Sequence, residues 1–386
     1  MPNVTISRRG EDRVRAGHPW VYRSDISAVE ASAGDVVEVR SARGRTLGYA
    51  TFSDRSEIVL RMLSRGSEPL SESLWRERVQ AALAYRESLR IDATAYRLVH
   101  GEADGIPGLV VDRYGGYLVV QALSQAIDRR LPEIAHVLAE LTNTAGILAR
   151  NDPRVRLLEG LEQRVDLLHG DVPSSIDVRE GTIVYDVDPW HGQKTGLFLD
   201  QRENRQAAAR YARGRLLDAF SYHGGFALAL ASRCDSVLAV DISEHAVERI
   251  RANTARNGLT NVEARAMNVF DELRELARTG ARFDTIVLDP PAFAKNKAAV
   301  PKALSGYKEI NLRALELLAP GGYLVTCSCS YNVGESMFLD VVSAAAADAR
   351  VETTLVEKRT QARDHPILIN APETHYLKCL ILRKLA

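Results

Sequence analysis

The chain is poor in cysteine. Four in 386 residues cannot make a disulfide framework, and Cys327 and Cys329 lie too close in sequence for a structural bridge. Such usage fits a reducing compartment, so a cytoplasmic location is expected. No apolar run reaches the ~18 residues of a membrane-spanning helix, and the start, Met1 to Arg9, lacks the apolar core of a secretion signal. Net charge is missing too. Fifty Lys and Arg face fifty Asp and Glu, a balance that neither supports nor excludes a polyanionic partner. Up to Gly66, eleven Arg against eight acids leave a slight basic bias. A G-x-G-x-x-G turn is absent, which argues against a pyrophosphate-bearing dinucleotide. His100, Glu102 and Asp104 are close in sequence, but their spacing fits no metal site, and they read as solvated hairpin residues.

What is present is an ordinary soluble composition, 46% hydrophobic and 26% charged, long enough for two or three domains at ~150 residues each. The organising stretch runs from Arg215 to Ser330. An apolar run ends at Asp218 and is followed by Gly224-Gly225, which predicts a strand, a tight turn and a helix near Phe226. Ser236 to Asp241, Phe283 to Asp289-Pro290-Pro291, and Tyr323 to Ser330 read as further strands. Strands alternating with helices at this spacing predict an α/β fold with a parallel, doubly wound sheet. Ligands of such sheets sit outside the carboxyl ends of the strands, where Asp218, Gly224, Asp241, Asp289 and Cys329 fall.

Upstream, residues 1–72 read as short strands of a β-barrel, with Gly34 to Arg40 and Leu47 to Phe52 as partners. A polar linker, Arg65 to Ser73, leads to a helix from Leu74 to Leu89, hairpin strands between Tyr96 and Asp112, and a helix from Asp128 to Leu141. Together these make a central α+β domain, 73–188. The C-terminal domain, 189–386, opens with a helix that Asp200 and Glu203 cap and Gly214 stops. Arg8, Arg9, Arg13 and Arg15, and separately Lys295, Lys297 and Lys302, are candidate phosphate contacts; solvated charge is the bland alternative.

An acid roughly 20 residues past a glycine turn accepts hydrogen bonds from ribose hydroxyls, and Asp241 stands there. Both dinucleotide and S-adenosylmethionine sites use that feature. The glycine pair and the acid followed by two prolines favour S-adenosylmethionine, hence a methyltransferase. Cys327 lies inside an apolar strand and is expected to pack in the core, whereas Cys329 lies past its end at the ligand rim.

Lys194 to Arg202, Asp218 to Phe226, Asp289-Pro290-Pro291-Ala292-Phe293 and Ser328-Cys329-Ser330 resemble the bacterial large-subunit ribosomal RNA methyltransferase I family. Gly17 to Ile26, followed by the Gly34 strand, is similar to the RNA-binding PUA domain that heads this family. The resemblance spans essentially the whole chain. It implies a PUA domain, a central α+β domain and a class I methyltransferase domain, S-adenosylmethionine as cofactor, and 5-methylcytidine in 23S ribosomal RNA as product. It makes Cys329 the nucleophile and Asp289 a second catalytic residue that also borders the cofactor. Arg202, Asp218, Tyr222, Gly224, Gly225, Asp241, Ile242 and Asn268 complete the cofactor site, with Asp241 on the ribose and Asn268 near the adenine. Ribosomal RNA is the implied partner, and a second copy of the chain stands as a further one. Pro291-Ala292-Phe293 departs from the wider RNA 5-methylcytosine enzymes, many of which carry a second cysteine there. The release step and the base for the C5 proton are therefore unassigned. Methylation of a base nitrogen such as guanine N7, and a non-catalytic RNA-binding assembly factor, remain as alternatives.

Overall fold

The structure, a computed structural model, describes residues 2–385. The chain divides into two compact units. One comprises the chain up to Arg179 with Val187–Leu199 and Arg363–Thr374; the other comprises Glu180–Asp186, Asp200–Ala362 and the segment from His375 onward.

The first unit contains two sheets. Six strands run in the spatial order Trp20–Tyr22, Ile58–Arg65, Thr46–Phe52, Val36–Ser41, Asn3–Ile6 and Ile26–Glu30. The alternation from Val36 puts Val37 and Val39 inward with Val4, Ile6, Ala50 and Leu60. A helix, Arg8–Arg15, interrupts these strands where only strands were expected. Ser7 caps it by accepting from Gly10 N, and only Val14 of its apolar side chains reaches the core. The four arginines proposed as phosphate contacts lie on it and are each ion-paired: Arg9 and Arg13 with the buried Asp25, Arg15 with Glu11, Arg8 with Asp12. The Asp25 pairs hold this helix to the turn Arg23–Asp25, which leads into the strand Ile26–Glu30.

The second sheet has five strands in the order Arg164–Gly170, Gly146–Asn151, Tyr117–Ala122, Leu109–Tyr114 and Ala95–His100. Helices Leu74–Ser88 and Gln125–Thr142 cover it. Ile127, Leu131, Ile134 and Leu138 recur at helical spacing and are the buried stripe of the longer helix.

The second unit is one seven-stranded sheet: β1 (Arg215–Ala219), β2 (Ser236–Asp241), β3 (Val262–Ala266), β4 (Phe283–Leu288), β5 (Leu318–Ser328), β6 (Thr353–Arg359) and β7 (Lys378–Lys384). Their spatial order is β3-β2-β1-β4-β5-β7-β6, parallel from β3 to β5, with β7 antiparallel to both β5 and β6. The helices are α1 (Arg202–Ala208), α2 (Gly225–Ala231), α3 (Glu244–Arg256), α4 (Val269–Arg278), α5 (Val300–Leu317) and α6 (Glu335–Ala349). Apolar residues on the two faces of the sheet fall into separate buried clusters, so the layer is doubly wound. Two local expectations are corrected. Helix α1 ends at Ala208, short of Gly214, which instead turns the chain into β1 at φ 57°. Gly225 is the first residue of α2 and not part of the turn.

Candidate active site

Parallel pairing in register brings the carboxyl ends of β1, β2 and β4 together, and each end carries an acid. Asp218 is opposite Ala239 and Val287, Asp241 closes β2, and Asp289 directly follows β4. Asp218 is buried. Its Oδ2 accepts from Ser221 Oγ at 2.6 Å and Ala227 N at 2.8 Å, while Oδ1 is a buried acceptor with no donor among the described residues. Burial pushes its carboxyl up to about 7 against the two hydrogen bonds, and the Asp289 and Asp241 carboxylates add to the rise.

The turn after β1 is held from the end of β2. Ser221 N donates to Val240 O at 3.0 Å, and Tyr222 N donates to Asp241 Oδ2 at 2.9 Å. Phe220, Tyr222 and Gly224 all have positive φ, 66°, 51° and 84°. A Cβ on Gly224 would lie 2.7 Å from Leu228 Cδ1, so space and backbone both demand glycine. Beside it, a Cβ on Gly225 would stand 3.3 Å from Arg205 Nη1, a guanidinium that forms a buried pair with Glu180. The Tyr222 and His223 rings stack at 3.7 Å and 14°.

Asp241 Oδ1 accepts from Ser243 N at 2.9 Å, and the carboxylate stays half-buried at the rim. The next residue, Ile242, is 70% exposed. Asn268, two residues past β3, is exposed and caps α4 by accepting from Phe270 N. Arg202 is buried at the first position of α1. Its neighbour Gln201, unassigned in the sequence reading, is buried and donates Nε2 to Asp289 Oδ1 at 2.8 Å, while its Oε1 accepts from Asn204. The signal was there in part, since Gln201 lies inside the Lys194 to Arg202 segment.

The two neighbouring cysteines part ways. Cys327 is fully buried opposite Cys379 on β7, and burial lifts its thiol well above the ordinary range. Cys329 lies beyond β5, half-buried, and its Sγ donates to Pro290 O at 3.7 Å. Around it, Tyr307 OH bonds the hydroxyls of Ser328 and Ser330, each at 2.9 Å. Lys378, the first residue of β7, is buried and donates Nζ to Ser330 O at 2.7 Å and Tyr376 O at 2.9 Å. Sequence reasoning missed it. A cation heading the apolar run Cys379-Leu380-Ile381-Leu382 was the one available sign.

These residues fit S-adenosylmethionine. The donorless Asp218 Oδ1 suits an ammonium, the Asp241 carboxylate suits ribose hydroxyls, and the Gly224 turn leaves room for close approach. The strand order and the three acids at the carboxyl edge define a Rossmann-like methyltransferase fold. Among solved structures, a methyltransferase complexed with SAH matches with a TM-score of 0.87 at 22% identity, over 99% of this chain and 100% of that one. A SAM-dependent methyltransferase from Streptococcus mutans matches at 0.85 and 22%, with the same coverage. The S-adenosylmethionine-dependent methyltransferase family model matches residues 96–383, and a PUA-like domain model matches residues 4–65. Ribosomal RNA large subunit methyltransferase I of Tolumonas auensis is 40% identical over 98% of each chain, and that of Vibrio cholerae 38% over 98% of each. The chain belongs to the ribosomal RNA large subunit methyltransferase I family, and its cofactor is S-adenosylmethionine. No helix of the described residues is long and apolar enough to cross a membrane.

Proposed function

We propose that this protein methylates C5 of a cytidine in large-subunit ribosomal RNA in the cytoplasm, with Cys329 as nucleophile. One observation carries the reading: a half-buried thiol at the carboxyl rim, on the carbonyl of Pro290 and one residue from Asp289 in that loop, while the thiol two residues earlier is sealed in the core. C5 of cytosine is too poor a nucleophile to take a methyl group unaided. A thiolate adding to C6 forms an S–C bond and pushes the ring electrons onto C5. C5 takes the methyl that S-adenosylmethionine carries on its sulfonium: the C5–methyl bond forms as the sulfur–methyl bond breaks, and S-adenosylhomocysteine is left. Loss of the C5 proton then returns the electrons, the S–C6 bond breaks, and the thiolate leaves. The base must quit its stack to be reached this way. Asp289, oriented by Gln201, holds it at N3 or N4. Asp241 receives the cofactor ribose, Asn268 and Ile242 border the adenine end, and Asp218, Tyr222, Gly224, Gly225 and Arg202 form the rest of the cradle. Residues 1–72 form a PUA-like RNA-binding domain, 73–188 a central domain and 189–386 the catalytic domain.

The test is trapping with RNA containing 5-fluorocytidine, whose fluorine blocks the elimination. A cross-linked species is expected from wild type and Cys327→Ala and not from Cys329→Ala. Full methylation by Cys329→Ala would refute the nucleophile and turn the reading to methylation of a base nitrogen.

A further inference from the structure

The turn Ser328-Cys329-Ser330 is bordered by a buried cation that takes no part in the bond changes of the proposed reaction. Lys378 pairs with Ser328 across the β5–β7 ladder, is 3% exposed, and spends two of its three N–H donors on the carbonyls of Ser330 and Tyr376. Among the described residues no carboxylate lies in ion-pair range of it. A buried ammonium without a counter-charge is costly, and such lysines lose their proton unless an anion stands near. The anion that would favour the charged form of Lys378 is a thiolate at Cys329, formed when its Sγ gives up the proton it donates to Pro290 O. Burial draws the ammonium down to about 8 and the thiolate opposes that pull.

Five further titratable groups on the elements packed here bring no positive charge to the turn. Tyr307, from α5, is held neutral because burial raises its phenol. Asp289, after β4, is acidic and would oppose a thiolate. Glu335, at the start of α6, is taken by Lys358. Cys327 and Cys379 are sealed in the core.

We propose that Lys378 is the positioning residue that keeps Cys329 in its thiolate form, through the field of an ammonium pinned to the backbone of the same turn. This rests on the reading of Cys329 as nucleophile. The attraction is reciprocal: the charge that favours the thiolate is itself favoured by it, so neither group is at ease without the other. It also fixes a working range, because the ammonium is largely protonated near neutral pH and discharges above its lowered value. A merely structural lysine would tie Ser330 to Tyr376 and leave the thiol's reactivity alone.

The experiment measures Cys329 alkylation by iodoacetamide against pH, with the modified peptide resolved by mass spectrometry so that Cys234 does not interfere. In the wild-type protein the rate midpoint is expected below that of a free thiol, about 8.5. A midpoint at or above that value overturns the proposal without any variant. Lys378→Met removes the charge, and Lys378→Gln removes it while keeping a donor for the carbonyls. In whichever of these binds S-adenosylhomocysteine as a folded protein, alkylation near neutral pH is expected to slow about tenfold, one unit of midpoint. Lys378→Arg is expected to restore most of the rate. An unshifted profile in a folded neutral variant overturns the role. The trapping experiment separates the two claims: cross-linking with an unshifted profile removes Lys378 alone, whereas a shifted profile with full methylation by Cys329→Ala removes the nucleophile.

Discussion

Replacing Asp218 by Asn should abolish a pH dependence of cofactor binding that the wild-type protein is expected to show. The native carboxyl titrates at about 7, and its Oδ1 awaits a donor. If the cofactor's ammonium requires the ionised form, binding must release the proton that burial has stabilised. At about pH 6 roughly one molecule in eleven is ionised, and at about pH 8 roughly ten in eleven. Affinity should therefore rise about tenfold across that range, ~1.4 kcal/mol. Calorimetry of S-adenosylhomocysteine binding reads this directly, and buffers of different ionisation enthalpy should report close to one proton released per site at the lower pH. Asp218→Asn leaves the ligand and the rest of the site chemically unchanged, so it isolates the Asp218 contribution. An affinity flat from about pH 6 to 8 in the wild type, or the same slope in Asp218→Asn, would refute the assignment. The free protein supplies a second reading of opposite sign. A native carboxyl raised above its unfolded value of 3.8 binds its proton more tightly than the unfolded chain. Stability is then lost as pH climbs from about 4 to about 7, by up to ~4 kcal/mol. In Asp218→Asn that contribution should be missing from the pH profile of the unfolding temperature.

Asp241→Ala removes the acceptor for Tyr222 N and Ser243 N as well as the proposed ribose partner, and should weaken cofactor binding by ~1.5–3 kcal/mol, roughly ten- to a hundredfold; unchanged calorimetric affinity in the folded variant would dismiss the role. Gly224→Ala should lower stability by ~1–3 kcal/mol, because φ is 84° and the new Cβ meets Leu228, and thermal unfolding measures it. The exposed Lys295, Lys297 and Lys302 follow the Asp289-Pro290-Pro291 segment, and each Lys→Ala change should reduce the salt slope of RNA binding by about one if it meets a phosphate. A slope unaltered in the triple variant makes them solvated charge.

Much of the sheet was legible because its strands are punctuated chemically. β1, β2, β4 and β5 are apolar runs that end in an acid, a glycine turn, prolines or a polar turn, and both period and punctuation are local. β3 escaped because Val262–Ala266 is short and buries only Ala264. β6 escaped because an edge strand with no fully buried side chain has no inward period to read. The helix Arg8–Arg15 depends on Asp25, a partner more than ten residues away, and the residues that attach it are arginines that look solvated in sequence. The acids of the site were readable for the same reason as the strands. Gln201 and Lys378 were not, since each acquires its meaning from a residue roughly fifty or more positions distant, Asp289 for one and Ser330 for the other. A buried polar contact made across the fold leaves little trace in either local neighbourhood.

The order β5-β7-β6 has a consequence for biosynthesis. β7 is translated after both of the strands it lies between, so β6 has no ladder partner and β5 has only β4 while the ribosome is still adding residues 360–377. Until then β5 presents an open edge of apolar strand, and the turn that bears Cys329 lacks the lysine beneath it. A nascent chain therefore carries the acids and the glycine turn early but acquires its full thiol environment only when β7 slots in. Premature termination anywhere before Lys378 would leave that edge exposed for good, and the product is expected in the insoluble fraction.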